Sequence, residues 1–401
     1  MKFKDFGTED FRNYITIQNS MSNLKVALVH DFLKEYGGAE RVVETLHQMW
    51  PEAPVHTSFV DWDGLGVHAE RIRKWQIVQS PFGKTWFMRK LHSPLRFLAP
   101  YVWESFDFSG FDVVISSSGW YISRGILTRP ETMHICYLHH PPRHLYGYQT
   151  AMEWQKYWPI RWYGTVINHF LRRYDFLTAQ RVDYFIANSE ETKRRIEKFY
   201  RRDAEVIYPP VQMQKENSKF KIQNSKFKNY FLIVSRLARA KHIDLAIEVC
   251  QKLENKLVVV GKGRDEVLLK QLANQKPGYV EFYGEVPDEE LPHLYQNARA
   301  LLFPSEDEEF GIVPVEAMGY GIPVIAYRSG GLPETIIEGK TGVFFDQLKL
   351  SSIEKAINRF EKTSFSKEAI RKQAERFSKE VFVTSMRSFV QRTWEQYKAR
   401  Y

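Results

Sequence analysis

Residues 301–338 read LLFPSEDEEFGIVPVEAMGYGIPVIAYRSGGLPETIIE, and this stretch decides the fold. It begins with an apolar run that ends at a proline, which is typical of a buried strand in a parallel sheet. An acidic loop at 305–311 comes next, followed by a helical pattern that Pro314 opens and two glycines end. The sequence therefore predicts a strand, a glycine-containing loop and a helix in direct succession.

The same pattern follows again at once, because a strand at 323–327 leads into Gly330-Gly331 and a short helix that Pro333 opens. Each of these two junctions offers free backbone N–H groups and the positive end of a helix to an anion. We expect Glu308 in the loop and Glu316 in the first helical turn to face one pocket. For either glutamate alone a solvated or dipole-stabilising role is equally reasonable, whereas the whole arrangement indicates a ligand site.

The composition predicts a protein with large cores and anionic partners. The 401 residues suggest two or three domains, and 43% of them are hydrophobic. A net charge of +9 favours phosphorylated small molecules or anionic lipids, because no nucleic-acid motif is present. No secretory signal or membrane-spanning run is visible, and Cys136 and Cys250 lie in apolar patterns. We therefore expect a cytoplasmic protein with buried, reduced cysteines and no cysteine metal site.

Strands alternate with helices along the chain, which predicts open, mostly parallel α/β sheets. In such sheets, ligands bind beyond the carboxyl ends of the strands. We predict strands at 24–30, 111–116, 133–138, 184–187 and 206–208, and again at 231–235, 256–260 and 280–283.

A polar, cationic segment at 212–229 interrupts the alternation, and NSKFK occurs in it twice. It predicts a flexible linker or insertion between two domains. The resulting division is a flexible extension at 1–21, a first domain at 22–211, the linker at 212–229, a second domain at 230–378 and a C-terminal helix at 379–401 that packs back on the first domain.

Two segments, 82–106 and 154–173, interleave aromatic with cationic side chains. This composition suits the interface of an anionic membrane. The alternative for each segment is a helical core face with a basic outer face.

The cations and carboxylates near the opening stretch suggest a binding chemistry. Arg236 and Lys241 lie just beyond a strand end, and together with the backbone N–H groups of 311–313 they would neutralise a diphosphate. Glu316 can accept hydrogen bonds from a ribose diol, and Glu308 can do the same for a sugar ring. Fixed cations and amides stabilise a departing nucleotide diphosphate without a metal.

These residues resemble the retaining glycosyltransferases of family 4. The matching pieces are Ser235-Arg236-Leu237-x3-Lys241, Gly261-x-Gly263, Glu308-x7-Glu316 and Gly330-Gly331-x-x-Glu334. The resemblance covers about residues 22–400 and implies the α/β fold called GT-B, in which two Rossmann-like domains with mostly parallel sheets face each other across a cleft. The pairing of HDFLKEYGGAERV with CYLHHPPRHLY is most similar to GDP-mannose-dependent mannosyltransferases of bacterial polysaccharide assembly.

The resemblance also implies roles for individual residues. The catalytic candidates are Glu308 and His139, where His139 would touch the sugar from the first domain. Glu316 would bind the ribose. The phosphates would contact Arg236, Lys241, Gly37, Gly38, Gly311, Ile312 and Val313, and the sugar would contact Glu308, Phe310 and Gly311. His140 and Gly147 depart from the family pattern, and these departures concern the part of the site where the acceptor would bind.

The family retains the anomeric configuration and generally needs no metal. The sequence Asp61-Trp62-Asp63 spells DxD, a metal-binding pattern in some nucleotide-sugar enzymes, but we favour a chance occurrence. No residue can be assigned as a carboxylate nucleophile for double displacement. Front-face transfer, in which the leaving phosphate takes the acceptor proton, is therefore the favoured mechanism.

We expect a transferase that moves a hexose, most simply mannose from GDP-mannose, to a lipid-linked or polysaccharide acceptor at the inner face of the cell membrane. One alternative is a soluble glucan-synthase-like enzyme that uses a UDP- or ADP-sugar. Another is a non-catalytic nucleotide- or glycan-binding module. An NAD-dependent oxidoreductase is disfavoured because neither domain has a full GxGxxG after its first strand.

Overall fold

The computed structural model describes residues 24–148, 157–213, 228–287 and 290–400. The extension predicted at 1–21 and most of the linker predicted at 212–229 lie outside these ranges. The described residues form two α/β domains, each built on a parallel sheet.

The described part of the first domain contains a seven-stranded parallel sheet in the order β3-β2-β1-β4-β5-β6-β7. The core strand β1 is buried along its whole length, as expected for a strand covered by helices on both faces. The strands are β1 (Val26–His30), β2 (Val55–Thr57), β3 (Ile77–Gln79), β4 (Val113–Ser118), β5 (Met133–Leu138), β6 (Tyr184–Ala187) and β7 (Glu205–Val206).

The described part of the second domain contains a six-stranded parallel sheet in the order β10-β9-β8-β11-β12-β13. Central strands β8, β9 and β11 are rich in buried Leu, Ile, Val and Phe, which favours this location. The strands are β8 (Tyr230–Val234), β9 (Leu257–Val260), β10 (Val280–Gly284), β11 (Ala298–Phe303), β12 (Val324–Tyr327) and β13 (Gly342–Phe345).

Helices cover both sheets. Those of the first domain are α1 (Gly38–Met49), α2 (Ala69–Ile72), α3 (Trp86–Leu91), α4 (Ala99–Trp103), α5 (Trp158–Arg181) and α6 (Glu190–Tyr200). Those that follow are α7 (Ile243–Lys252), α8 (Glu266–Ala273), α9 (Leu291–Asn297), α10 (Ile312–Gly319), α11 (Leu332–Thr335), α12 (Leu350–Lys362), α13 (Lys367–Glu375) and α14 (Lys379–Lys398).

This architecture confirms the predicted pair of parallel α/β domains. Strands β5 and β6 have the predicted bounds, and Ser189 caps α6 by accepting from the Thr192 N–H. The strand predicted at 111–116 begins two residues later, at Val113. Strands β2 and β3 were not predicted, because three residues are too few to show a period, and β13 was not predicted either.

The last helix, α14, leaves the second domain and packs on the first. Its buried Phe382, Met386 and Phe389 share a core with Leu28 of β1 and Leu46 of α1. This apolar face supplies part of the first domain's core, so the chain crosses between the domains twice.

The two crossings lie side by side. The Val211 N–H donates to the Phe377 carbonyl at 3.0 Å, and the Lys379 N–H donates to the Val211 carbonyl at 3.1 Å. These bonds join the outgoing and returning chains at one point of the domain boundary.

Cys136 and Cys250 are buried free thiols, and burial raises the pKa of each to about 12. Because thiolate is the reactive form, both side chains are packing residues.

Candidate active site

The N-termini of α1 and α10 face each other across the cleft. A Cβ atom on Gly38 would lie 2.8 Å from Ile312 Cδ1, so the two helix ends approach each other closely. Gly311 caps α10 with φ of +84°, in the left-handed region that glycine adopts without strain. The positive ends of two helices from different domains therefore meet at one place, where an anion would be stabilised.

Gly37 differs from its neighbour Gly38. Its N–H donates to Glu40 Oε2 at 2.9 Å, which closes the first turn of α1. The predicted role of the Gly37 N–H as a phosphate contact therefore requires this bond to be broken.

Lys241 and Glu308, both predicted to bind the nucleotide-sugar, are paired with each other by a hydrogen bond from Lys241 Nζ. Burial, with Arg143 and Arg236 nearby, lowers the pKa of Lys241 to about 8. Arg236 is more exposed and makes a 3.0 Å ion pair with Glu35 of the first domain. The structure thus brings these predicted residues to one rim of the cleft.

Glu316 lies one turn into α10. The helix begins at Ile312, not at Pro314 as predicted, because Gly311 supplies its cap; Glu316 therefore falls beyond the first turn. Its carboxylate accepts a hydrogen bond from Arg41 of α1 and one of 3.3 Å from the Tyr295 hydroxyl. The proposed ribose ligand is thus held by a cation from the opposite domain.

Sequence reasoning missed Glu309, which is bound more firmly than either predicted glutamate. Arg143 donates to its two oxygens at 2.8 and 2.6 Å, and Arg195 lies 3.5 Å away. Burial alone would raise the pKa of Glu309, but Arg143, with His140 and Arg195, lowers it to about 2. The available signal was Arg143 itself, a cation in the quoted HHPPR motif that had no assigned role.

Glu334 makes a further contact between the domains that the sequence did not predict. The Glu334 carboxylate accepts from the backbone N–H groups of Glu190 at 2.8 Å and Glu191 at 3.0 Å. These are the first residues of α6, whose positive end favours a carboxylate. Glu334 therefore acts as a cap on a helix of the other domain.

His139 follows β5 and faces the same cleft from the first domain. Its Nε2 lies 2.7 Å from the Ser117 hydroxyl. Burial, with His30 and His140 nearby, holds the pKa of His139 well below its ordinary value. The ring is therefore neutral at pH 7 and can donate one hydrogen bond and accept one.

The side chain of Phe310 does not face the cleft. It is 3% exposed and packs against Tyr208 and Phe377 in the core. Of Phe310, only the backbone is available for the predicted contact with the sugar.

The glycine pairs of the motifs serve close backbone packing. A Cβ atom on Gly330 would lie 1.9 Å from the Glu308 carbonyl oxygen, and one on Gly331 would lie 2.1 Å from that of Glu309. Gly263 is equally close to the Leu237 carbonyl, at 2.1 Å. These glycines let the loops that carry the site pack closely against one another.

Asp61 of the DxD sequence has a local role, since its carboxylate accepts from the Gly64 N–H at 3.3 Å. Within the described ranges, no group of three or more His, Cys, Asp or Glu side chains could hold a metal ion. The expectation of a metal-free reaction remains a prediction.

Two parts of the chain match known protein families. Residues 36–215 match the family described as Glycosyltransferase Family 4. Residues 214–379 match the family described as Glycosyl transferases group 1. The two matched regions meet at residues 214–215, shortly after the first crossing at Val211. Glu309 and Glu316 lie in the region that matches the group 1 family.

Curated relatives match the chain over segments of limited length. Sulfoquinovosyl transferase SQD2 of Arabidopsis thaliana is 36% identical over 117 residues, which are 28% of this chain and 22% of that protein. Alpha-1,3/1,6-mannosyltransferase ALG2 of Candida glabrata is 29% identical over 202 residues, 39% of this chain and 44% of that protein. The chain thus spans less than half the length of each relative.

Solved structures cover nearly the whole chain and show the GT-B fold. Sucrose-phosphate synthase of Thermosynechococcus elongatus has a TM-score of 0.72 at 18% identity, covering 92% of this chain and 99% of that one. Anabaena Alr3699/HepE, in complex with UDP and glucose, has a TM-score of 0.65 at 19% identity, covering 92% and 100%. At these identities the likeness establishes the fold alone.

Proposed function

We propose that the chain is a retaining glycosyltransferase that transfers mannose from GDP-mannose to a lipid-linked or polysaccharide acceptor. The observation that carries this proposal is the meeting of the α1 and α10 N-termini beside Lys241, Glu308 and Glu316. A diphosphate placed between the helix ends would be met by amides and by Lys241 and Arg236. Its ribose would then lie over Glu316 and its sugar near Glu308 and His139.

Binding in this cleft is an exchange of partners. The ribose diol replaces Arg41 on Glu316, and the phosphates replace Glu308 on Lys241. Each charged group keeps a partner before and after binding, so no buried charge is left unpaired. Arg41, once released, lies beside the phosphate site and adds to its positive charge.

Front-face transfer is the mechanism that we propose. The leaving phosphate oxygen accepts the proton of the attacking acceptor hydroxyl, while the bond from the anomeric carbon to that phosphate breaks and the new glycosidic bond forms on the same face. Glu309 is held by two Arg143 bonds, and a carboxylate paired in this way is a weak nucleophile. The cations and amides stabilise the departing nucleotide diphosphate, which supports a reaction without a metal. Trapping a covalent sugar adduct on Glu308 would contradict this mechanism.

The choice of mannose rests on the paired N-terminal motifs and on ALG2, a relative named as a mannosyltransferase. Calorimetric titration with GDP, UDP and ADP tests it directly. We expect GDP to bind at least tenfold more tightly than the other two. A transfer assay with GDP-mannose and radiolabelled product then tests the reaction itself.

A UDP-sugar-dependent enzyme of the glucan-synthase type is the second candidate. It is favoured by one observation, the neighbour Alr3699/HepE, whose structure contains UDP and glucose. A preference for UDP or ADP in the same titration would replace the mannose proposal with this one. Failure of all three nucleotides to bind would indicate a non-catalytic module.

We propose that this transferase works at an anionic membrane surface. The two aromatic and cationic segments lie next to each other, since Arg96 donates to Asn168 at 3.2 and 3.0 Å and stacks near Tyr163. Both segments expose aromatic side chains: Trp86 (68% exposed), Tyr101 (67%), Trp158 (75%), Trp162 (69%) and Phe170 (62%). They also expose the cations Lys84, Arg89, Lys90, Arg161, Arg172 and Arg173.

Aromatic side chains beside cations suit an interface with anionic headgroups. None of the helices in the described part of the chain is long and apolar enough to cross a membrane. Flotation with vesicles containing phosphatidylglycerol tests the proposal. We expect Trp158→Ser/Trp162→Ser to abolish flotation and Val267→Ser/Leu268→Ser, an exposed apolar pair on α8, to leave it unchanged. Equal flotation of both variants would contradict the proposal.

A further inference from the structure

Four side chains form a hydrogen-bonded chain from α1 to His139. Glu40 Oε1 lies 3.3 Å from His30 Nε2, and His30 Nδ1 lies 3.2 Å from the Ser117 hydroxyl. The Ser117 hydroxyl lies 2.7 Å from His139 Nε2. His30, Glu40 and Ser117 are at most 7% exposed, so the chain lies inside the domain and reaches the cleft only at His139.

The neighbours of His30 determine its protonation. Nε2 faces the Glu40 carboxylate, and Nδ1 lies 3.2 Å from the Ser117 carbonyl oxygen as well as from its hydroxyl. A carboxylate and a carbonyl can only accept hydrogen bonds, so both ring nitrogens of His30 must donate. His30 is therefore a buried imidazolium paired with Glu40. Burial alone would lower its pKa, but Glu40 raises it above the ordinary value.

The charge on His30 sets the direction of the next bond. Because His30 Nδ1 donates, the Ser117 hydroxyl accepts on that side and is left to donate to His139 Nε2. An Nε2 that accepts leaves the proton of a neutral imidazole on Nδ1. The positive charge of His30 also helps to keep His139 neutral, in agreement with its lowered pKa.

We propose that Glu40 and His30 act through Ser117 as positioning residues that hold His139 as the Nδ1–H tautomer. This inference rests on the proposed function, in which His139 contacts the transferred sugar. The fixed tautomer presents a hydrogen-bond donor to a sugar hydroxyl or phosphate oxygen, whereas an accepting Nδ1 would repel a phosphate oxygen. Glu40 also accepts a hydrogen bond from the Gly37 N–H. One carboxylate therefore links the start of α1 to the tautomer of His139.

The charged groups around this chain are few. Glu40 and Asp31 face His30, while His30, His140 and Glu309 face His139. Asp31 is fixed by accepting from the backbone N–H groups of Gly119, Tyr121 and Ser123 at 3.0, 2.9 and 3.0 Å. Glu309 is neutralised by Arg143. Glu40 is therefore the carboxylate that controls His30.

Nitrogen-15 NMR of the histidine side chains in the full-length protein tests this without any substrate. At pH 7 we expect His30 to be doubly protonated and His139 to be neutral with its proton on Nδ1. In Ser117→Ala, His139 loses the fixed tautomer while His30 stays charged. Ser116→Ala is the matched control, since it breaks a 2.8 Å Ser116–His134 bond on the opposite face of the same strand and should leave His139 unchanged.

Kinetics give a second measurement. We expect Ser117→Ala to lower kcat about tenfold, the loss of roughly one hydrogen bond, and Ser116→Ala to leave kcat unchanged. In Glu40→Gln the pKa of His30 falls, so the alkaline limb of the rate profile moves to lower pH. A neutral His30, or an Nε2–H tautomer of His139 in the wild-type protein, would overturn the inference. If the NMR result holds and no nucleotide-sugar is turned over, the proposed function fails and the tautomer assignment stands.

Discussion

Arg143 of the first domain and Glu309 of the second, 166 residues apart in sequence, share two hydrogen bonds of 2.8 and 2.6 Å. Both side chains are largely buried, with 22% and 12% exposed. The pair lies beside the predicted binding residues Lys241 and Glu308, so it determines how the two halves of the cleft meet. Its consequences can be measured separately from catalysis.

Removing the Arg143 side chain should strongly lower the free energy of unfolding. Arg143→Ala leaves the buried Glu309 charge with only the 3.5 Å contact to Arg195, and breaking a buried ion pair typically costs about 3 kcal/mol or more. Urea unfolding measures the loss. Arg143→Met/Glu309→Leu removes both charges and should recover most of the stability. Arg392→Ala, which breaks an ion pair with Glu205 that is about half exposed, should cost no more than about 1 kcal/mol. Equal losses in the two single variants would contradict this account.

The same pair predicts an acid-sensitive step. The folded-state pKa of Glu309, about 2, lies below its unfolded value of about 4.3, so its contribution is complete above about pH 4.3 and is lost as the pH falls toward 2. The difference corresponds to about 3 kcal/mol. Unfolding free energies between pH 5 and pH 2 should therefore fall more steeply for the wild-type protein than for Glu309→Gln. Parallel curves would show that Glu309 titrates normally.

Glu316→Ala and Lys241→Ala should weaken GDP binding and abolish transfer. Each removes a group that we place on the nucleotide-sugar, and the loss of a charged hydrogen bond costs about 1.5–3 kcal/mol, or roughly ten- to a hundredfold in Kd. Calorimetry measures the affinity. The control is Lys252→Ala. It removes an exposed cation at the end of α7 that pairs with Glu354 of α12, and the variant should bind GDP normally. Undiminished transfer in both site variants would reject the proposed site.

Gly311→Ala should destabilise the second domain more than Gly339→Ala. Both residues have positive φ, +84° and +74°, so alanine pays a similar backbone cost at each. A Cβ atom at 311 would also lie 2.5 Å from Leu332 Cδ2, whereas one at 339 has no neighbour within 4 Å. We expect a loss of about 1 kcal/mol at 339 and at least twice that at 311. Thermal unfolding of the two variants gives the comparison.

The sequence predicted the parts of the fold that are encoded locally. Apolar runs marked β5, β6 and β11, and Ser189 marked the start of α6. The start of α10 was misplaced because a left-handed Gly311 cap and a Pro314 at the helix opening produce the same pattern. The prediction of Glu316 in the first turn failed for that reason.

Only the part of the site that lies within a single sequence motif could be predicted. Glu308 and Glu316 share a helix and its preceding loop, so their spacing was informative. The partners Arg143 and Arg41 come from another domain, and no local pattern relates them to Glu309 and Glu316. The burial of Phe310 likewise depends on Phe377, which lies far along the chain.

The position of α14 bears on how the protein is made. The first domain precedes the second along the chain, but Phe382, Met386 and Phe389, which complete its core, are translated only after the second domain. On the ribosome, the face formed by Leu28 and Leu46 therefore remains uncovered until the second domain has been made. A truncation before Lys379 would leave this face exposed permanently, so loss of α14 would impair the domain that lies at the other end of the described residues.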